Sequence, residues 1–448
     1  MAIARNSIEG ESFTQEISHA EFVRTCQEVF PKEWSLKLLG EIAYIGSGTT
    51  LGRKLSGPVI QLPYLRVANV QDGYLDLSTI KYIDILESER EKWLLKIGDI
   101  LLTEGGDWDK LGRGTVWNGE IENCIHQNHI FRVRIVDPAF DVHFVNYLLS
   151  SFHGKGYFRQ ASKQSTNLAS INQVQLRAFP VLQPPLPEQR RIATVLASVD
   201  EAIAATDAVI AQLGKYREAI LIAAFNQSFA GGRSGDAIEW RTIRLGDCGD
   251  WFGGLTPSMK VSRYWEGGSL PWITPKDMRR TVIADSEDHV SQSAVDETGL
   301  RIAPPGSVVF VVRGMILAKR FPVAITTVPS TINQDMRAIV ANEKVDGYFL
   351  LLTLQKWSDK ILSLVKTATH GTKKLDSPEL KELSISISPF PEQRRIAEIL
   401  SAIDDRLALE RAERDSLVAL KKGLMQVLLT GKVRVPPGVA EEVAPAHA

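Results

Sequence analysis

The sequence predicts an α+β protein built as a tandem duplication: two mixed α/β domains, each followed by one long helix. Three observations carry this. A nonapeptide, Pro185-Leu-Pro-Glu-Gln-Arg-Arg-Ile-Ala193, returns as Pro389-Phe-Pro-Glu-Gln-Arg-Arg-Ile-Ala397 at an offset of 204. Each copy opens about 40 residues of helical periodicity with no further proline. Each is preceded by about 150 residues of short strand signals and glycine turns, alike in outline and divergent in detail.

The length of 448 residues allows about three ordinary domains, but the repeat replaces that count with two units. Weaker echoes extend the match upstream. Glu33-Trp34 and Leu39-Gly40-Glu41 answer Glu239-Trp240 and Leu245-Gly246-Asp247, and Gly48-Thr-Thr50 answers Gly254-Leu-Thr256. Gly98-Asp-Ile-Leu-Leu-Thr103 answers Gly306-Ser-Val-Val-Phe-Val311, and Ile125-His-Gln127 answers Ile332-Asn-Gln334. The expected organisation is an extension (1–32, with a short helix from Ala20 to Phe30), a first domain (33–184) and a first helical segment (185–230). A Gly-rich joint (231–238), a second domain (239–388), a second helical segment (389–431) and a disordered Pro/Ala/Glu-rich tail (432–448) complete it.

Within each domain the patterns read as follows. Tyr64–Val70, the turn Gln71-Asp-Gly73 and Tyr74-Leu75 suggest strand, turn, strand. Ile97–Thr103 and Ser307–Val312 suggest strands entered by a glycine turn and left at Gly105-Gly106 or Gly314. Phe144–Leu149 and Tyr348–Leu352 suggest buried helices.

Both helical segments begin with proline in the first turn, where its missing N–H costs nothing, and glutamate follows, favoured by the helix dipole. In the first, Ile192, Leu196, Val199, Ile203, Ile210, Leu213 and Ile220 recur every three, four or seven positions, interrupted by Thr206 and Arg217. In the second, Ile396, Leu400, Ile403, Leu407, Leu417, Leu424 and Leu428 follow a similar seam, in steps of three, four, seven and ten, interrupted by Glu410, Arg414 and Lys421. A seam held this long is that of a coiled coil, whose polar interruptions fix register. Helices ~60 Å long at 1.5 Å per residue outreach a small domain, so the two are expected to bury their seams on each other. Packing of each helix on its own domain is the simpler alternative.

Hydrophobic content of 44% and charged content of 23% exclude a disordered or fibrous chain. No apolar run approaches the ~20 residues of a membrane span, no secretory signal opens the chain, and three cysteines without metal or redox spacing suit the reducing cytosol. The net charge of −1, from 52 basic and 53 acidic residues, argues against coating nucleic acid by charge alone. Catalytic motifs do not emerge. Gly46–Lys54 lacks P-loop spacing, the Pro-Pro pairs lack the aromatic of an amino-methyltransferase, and Cys124-x-His126-x-x-His129 has no Cys or His at its repeat counterpart. The expectation is therefore no metal and no catalytic residue.

Binding remains. Basic and polar groups cluster in loops: Arg53-Lys54, Lys110 with Arg113, and Lys163-Gln164-Ser-Thr166-Asn167 in the first domain. In the second they are Lys276 with Arg279-Arg280, Lys319-Arg320, and His370-Gly-Thr372-Lys373-Lys374. These are residue types that read base edges and hold phosphates. Lys163–Asn167 and His370–Lys374 stand out because each falls shortly before the helical segment of its repeat.

Two unlike domains alternating with two alike helices, with the P[LF]PEQRRIA helix entry and the Glu-Trp…Leu-Gly start, resemble the specificity subunit of type I restriction-modification enzymes over roughly residues 33–431. That resemblance implies a non-catalytic, cytoplasmic chain. Its domains would be target-recognition domains, each reading half of a bipartite duplex DNA sequence. Its helices would form an antiparallel coiled coil that sets the spacing and docks two methyltransferase subunits, which translocase-endonuclease subunits join. S-adenosylmethionine, ATP and Mg²⁺ would belong to those partners. A coiled-coil scaffold that binds protein only is the rival reading.

Overall fold

A computed structural model of the chain describes residues 30–106, 111–164, 169–225, 240–368 and 371–438. The anticipated N-terminal helix (except Phe30), the Gly231–Gly235 joint and the tail beyond 438 lie outside them. The chain divides into two compact units, residues 1–207 with 412–448, and residues 208–411. These are not the sequence repeats. Each long helix, Leu186–Phe225 and Phe390–Leu428, gives its first half to one unit and its second half to the other.

The first unit centres on a four-stranded antiparallel sheet in the order Ala43–Ser47, Ile130–Ile135, Ile100–Thr103, Gly114–Val116. A second sheet joins Lys81–Leu86, Val59–Leu65 and Ile125–His126, the last pair parallel. The expected hairpin around Gln71–Gly73 differs. The strand ends at Leu65 because the Asn69 side chain accepts from the Arg66 amide (2.9 Å) and turns Val67–Asn69 into a 3₁₀ turn. The strand's partner is Lys81–Leu86, and Val70 meets Leu75 only as a single bridge. Strand Ser35–Leu38 pairs with Pro180–Gln183, closing the domain's two ends against each other.

The second unit repeats this grammar. Its main sheet runs Gly249–Gly253, Met336–Ala341, Val308–Val311, Val323–Thr326, Val282–Ile283. A small sheet holds Leu270–Ile273 between His289–Val290 and Thr331–Ile332, and Arg241–Arg244 closes on Ser384–Ile387. Gly98 (φ +88°) and Gly306 (φ +85°) make the same left-handed turn into the central strands. The buried helices are Val142–Ser150 and Gly347–Lys356, capped by Asp141 and Asp346.

The repeated nonapeptide is explained by its glutamine. Gln189 and Gln393 are both fully buried. Gln189 Nε2 donates to the Pro184 and Ala139 carbonyls (2.8 and 3.0 Å), and its Oε1 accepts from the Asp141 amide (2.9 Å). Gln393 does the same with Ser388, Lys344 and the Asp346 amide. One side chain thus fastens the start of a long helix to the cap of a domain helix, in each unit.

The seam residues divide by position. Ile192 and Leu196, and Ile396 and Leu400, lie fully buried in the core of the domain that precedes them in sequence. There the simpler packing holds. Ile220 packs on the second core, and Leu424 and Leu428 on the first, so each helix end seats on the other repeat's domain. Val199 and Leu407 are buried, while Ile203, Ile403, Ile210, Leu213 and Leu417 are half-buried. Three of the polar interruptions form ion pairs between antiparallel helices. Lys421 meets Asp200 (2.5 Å) and Arg414 meets Asp207 (2.6 Å) in the first unit, and Arg217 meets Asp404 (2.5 Å) in the second. Tyr147 and Tyr348 donate their hydroxyls to those same aspartates, Asp200 (2.8 Å) and Asp404 (2.5 Å). Glu410 pairs within its own helix with Arg406, and Thr206 donates to the Ala202 carbonyl.

Candidate nucleic-acid interface

In the second unit, elements distant in sequence are laced along one edge. The central strand Val308–Val311 leads to Arg313 and Gly314 (φ +140°), then the 3₁₀ turn Met315–Ala318. The hairpin Lys366–Thr367/Lys373–Lys374 closes on it. Arg313 bridges Lys374, the Gly314 amide donates to the Lys373 carbonyl (3.0 Å), and the Leu375 amide to the Val312 carbonyl (2.8 Å). Arg320, just past the 3₁₀ turn, donates to the Met278 carbonyl (3.0 Å), which brings in the loop of Lys276, Arg279 and Arg280. Three basic clusters separate in sequence therefore share one edge, and Lys276, Arg279, Arg280, Lys319, Arg320 and Lys374 are exposed on it. Lys373 and Thr372 are half-buried, with Lys373 Nζ donating to Thr367 Oγ1 (2.8 Å), and Lys374 pairs with Asp376 (2.6 Å). His370 lies outside the described residues.

The first unit builds the same edge. Gly105-Gly106 pairs with Ala169-Ser170, which pairs with Lys163-Gln164. Lys110, Thr166 and Asn167 lie outside the described residues. Beside the edge, His129 Nδ1 meets Glu104 at 2.8 Å. Arg113 instead donates to Gln71 (2.8 Å). Arg53 is pinned by Glu89 (3.1 and 2.6 Å) and lies over the Trp93 ring at 4.8 Å, while Lys54 is exposed beside it. The Glu89 carboxylate holds the Arg53 guanidinium above its ordinary pKa and is itself held below the usual carboxylate range. Arg53 is thus committed within its own domain.

Cys124, His126 and His129 do not converge. Cys124 Sγ contacts the Ile125 carbonyl (3.4 Å), His126 Nδ1 the Ile130 carbonyl (3.0 Å), and His129 turns to Glu104. Burial pushes the Cys124 thiol up to about 12 and, with Arg132 nearby, the His126 imidazole down to about 3. Among the described residues no group of three or more His, Cys, Asp or Glu is placed to hold a metal ion, and no helix is long and apolar enough to cross a membrane.

Sequence reading missed Arg313, Gln334 and Arg337. Arg313 stands immediately before the Gly314 turn, and Gln334 ends the echo shared with Ile125-His-Gln127. Those repeat positions were the available signal, because a turn shared by both repeats marks a common framework for divergent side chains.

A duplicated α/β framework with antiparallel helices and, in the second unit, a loop edge rich in Lys and Arg fits a chain of two DNA-recognition domains. The type I restriction modification DNA specificity domain matches twice, over residues 31–215 and 237–419, and the chain belongs to that family. It is 28% identical over 424 residues to a putative type I restriction enzyme MjaX specificity subunit of Methanocaldococcus jannaschii, covering 90% of this chain and 95% of that one. It is 38% identical over 167 residues to the EcoR124I/EcoR124II specificity subunit of Escherichia coli, covering 37% of this chain and 41% of that one. The fold is that of the type I S subunit from M. genitalium, with a TM-score of 0.61 at 16% identity over 88% of this chain and 96% of that one.

Proposed function

We propose that each domain reads one half of a bipartite duplex DNA target, and that the paired helices set the spacing and dock two methyltransferase subunits. Translocase-endonuclease subunits join that complex, in the cytoplasm. The chain performs no chemistry itself, and S-adenosylmethionine, ATP and Mg²⁺ act in the partners. One observation carries the reading: two domains keep the same strand framework and the same laced edge, yet present different side chains there. A protein-only scaffold gives no reason for basic loops to gather on that edge.

Near-neutral charge fits a reader held on DNA by its partners. Some cations are spent internally, Arg53 on Glu89 and Lys155 on Asp72. The test is co-expression with a type I methyltransferase subunit and mapping of methylated adenines by long-read sequencing. A two-part motif that requires this chain supports the proposal. Methylation that is absent, or indifferent to the chain, supports the scaffold reading.

A further inference from the structure

Strand pairing allows the two edges to be compared position by position. Gly105 faces Ser170 in the first domain, and Arg313 faces Lys374 in the second. Phe131 lies opposite Ser47 and Leu102, and Arg337 opposite Gly253 and Phe310. At three corresponding places, then, the first domain carries neutral Gly, Ser and Phe, and the second Arg, Lys and Arg.

Arg313, Gln334, Arg337 and Lys374 line a recess of about 200 Å³ with Asp376 and Ser377. Arg337 is fixed inside it. Its Nε donates to Ser377 Oγ (3.2 Å) and its Nη1 to the Met336 carbonyl (2.8 Å). A Cβ on Gly253 would sit 2.8 Å from Nη1, so that position leaves the guanidinium its room. Burial and the charge of Arg313 both push the Arg337 guanidinium down from its ordinary value. Arg313 is placed differently. Its side chain is 55% exposed, and Asp335 Oδ1 lies 4.0 Å from its Nε, the outer limit of an ion pair. Gln334 is exposed and accepts from the Thr256 hydroxyl.

Of these two guanidiniums Arg337 is anchored on protein acceptors, while Arg313 reaches out and awaits acceptor oxygens or nitrogens from outside. On duplex DNA that chemistry belongs either to a phosphate or to the O6/N7 edge of guanine, which arginine's fork matches bidentately. The exposed arginine stands on a glycine turn among other exposed cations, so phosphates have lysines of their own to meet. We infer that Arg313 reads a guanine in the half-site of the second domain, with Arg337 and Gln334 as positioning residues at its base. This inference rests on the proposed DNA-reading function.

The assembled complex with its methyltransferase is presented with a library whose second half-site is randomised, and methylated products are sequenced for wild type, Arg313→Ala, Arg313→Lys and Arg337→Gln. Arg313→Ala is expected to relax one guanine position, discrimination falling roughly 5- to 150-fold, with the first half-site unchanged. Arg313→Lys, which keeps the charge and loses the fork, should relax the same position. Arg337→Gln should weaken that preference without moving it to another position. An unchanged motif, or an equal loss on all sequences as a phosphate contact gives, overturns the inference. A wild-type complex with no half-site at all overturns the functional reading itself, and the wild-type arm reports that separately. Thermal unfolding of Arg313→Ala matching wild type excludes loss of fold as the cause.

Discussion

Gln189→Leu removes one buried side chain of nearly unchanged size and, with it, three hydrogen bonds. The Asp141 amide and the Ala139 and Pro184 carbonyls lose their partner in the interior of the first unit. Each neutral hydrogen bond contributes about 1 kcal/mol net, and each orphaned buried group costs ~1–3 kcal/mol. The backbone at Asp141 can reach some water, so the lower end applies, giving about 3 kcal/mol in all. For a unit of this size that lowers Tm by roughly 6–12 °C. Calorimetry should show one of two transitions moving, with faster hydrogen exchange at the Asp141 and Phe144 amides. Gln393→Leu should move the other transition, and the double variant should move both additively, because the two clamps share no partner. A shift under 2 °C with unchanged exchange would refute the clamp.

Three other outcomes follow from the same contacts. Leu196→Asp and Leu400→Asp each place a carboxylate in a domain core. Each should cost at least about 4 kcal/mol and unfold its own unit before partner binding is lost, which urea unfolding beside co-purification checks. In the first unit the His126 and His153 imidazoles are held near 3 and 4 by burial, against ~6.5 unfolded. The unfolded chain therefore binds more protons in that window, so stability falls as pH drops from about 6.5, by up to ~1.4 kcal/mol per pH unit per histidine. His126→Asn, the residue at its repeat counterpart Asn333, should flatten that slope, and an unchanged slope in acid titration refutes the assignment. Lys373→Ala with Lys374→Ala should reduce the salt dependence of DNA binding by about one phosphate contact each, and an unchanged slope removes them from the interface.

The duplication, the long helices and the glycine turns were legible because each leaves a periodic or repeated mark. The partition of the helices was not. Ile192 and Ile210 look alike in a heptad, yet the first is fully buried in a domain core and the second half-buried, because only tertiary contact decides what a seam position meets. The polar interruptions pointed the right way, since Arg217, Arg414 and Lys421 each found an aspartate on the opposite helix. Loop cations were harder to rank. Arg53 and Arg313 are equally plain in sequence, but Glu89 and Trp93 hold the first while the second stands 55% exposed. Strand pairing, absent from any local pattern, brought Arg313 beside Lys374.

Domain exchange is the most direct test of two independent readers. A chain in which residues 239–388 are replaced by a second copy of 33–184 keeps both long helices, and Tyr147 stands ready to meet Asp404 as Tyr348 does now. Methylation mapping of its complex should return a target whose second half has become a copy of the first, with the spacer unchanged. An unaltered target, or a second half unrelated to the first, would contradict the assignment of one half-site to each domain.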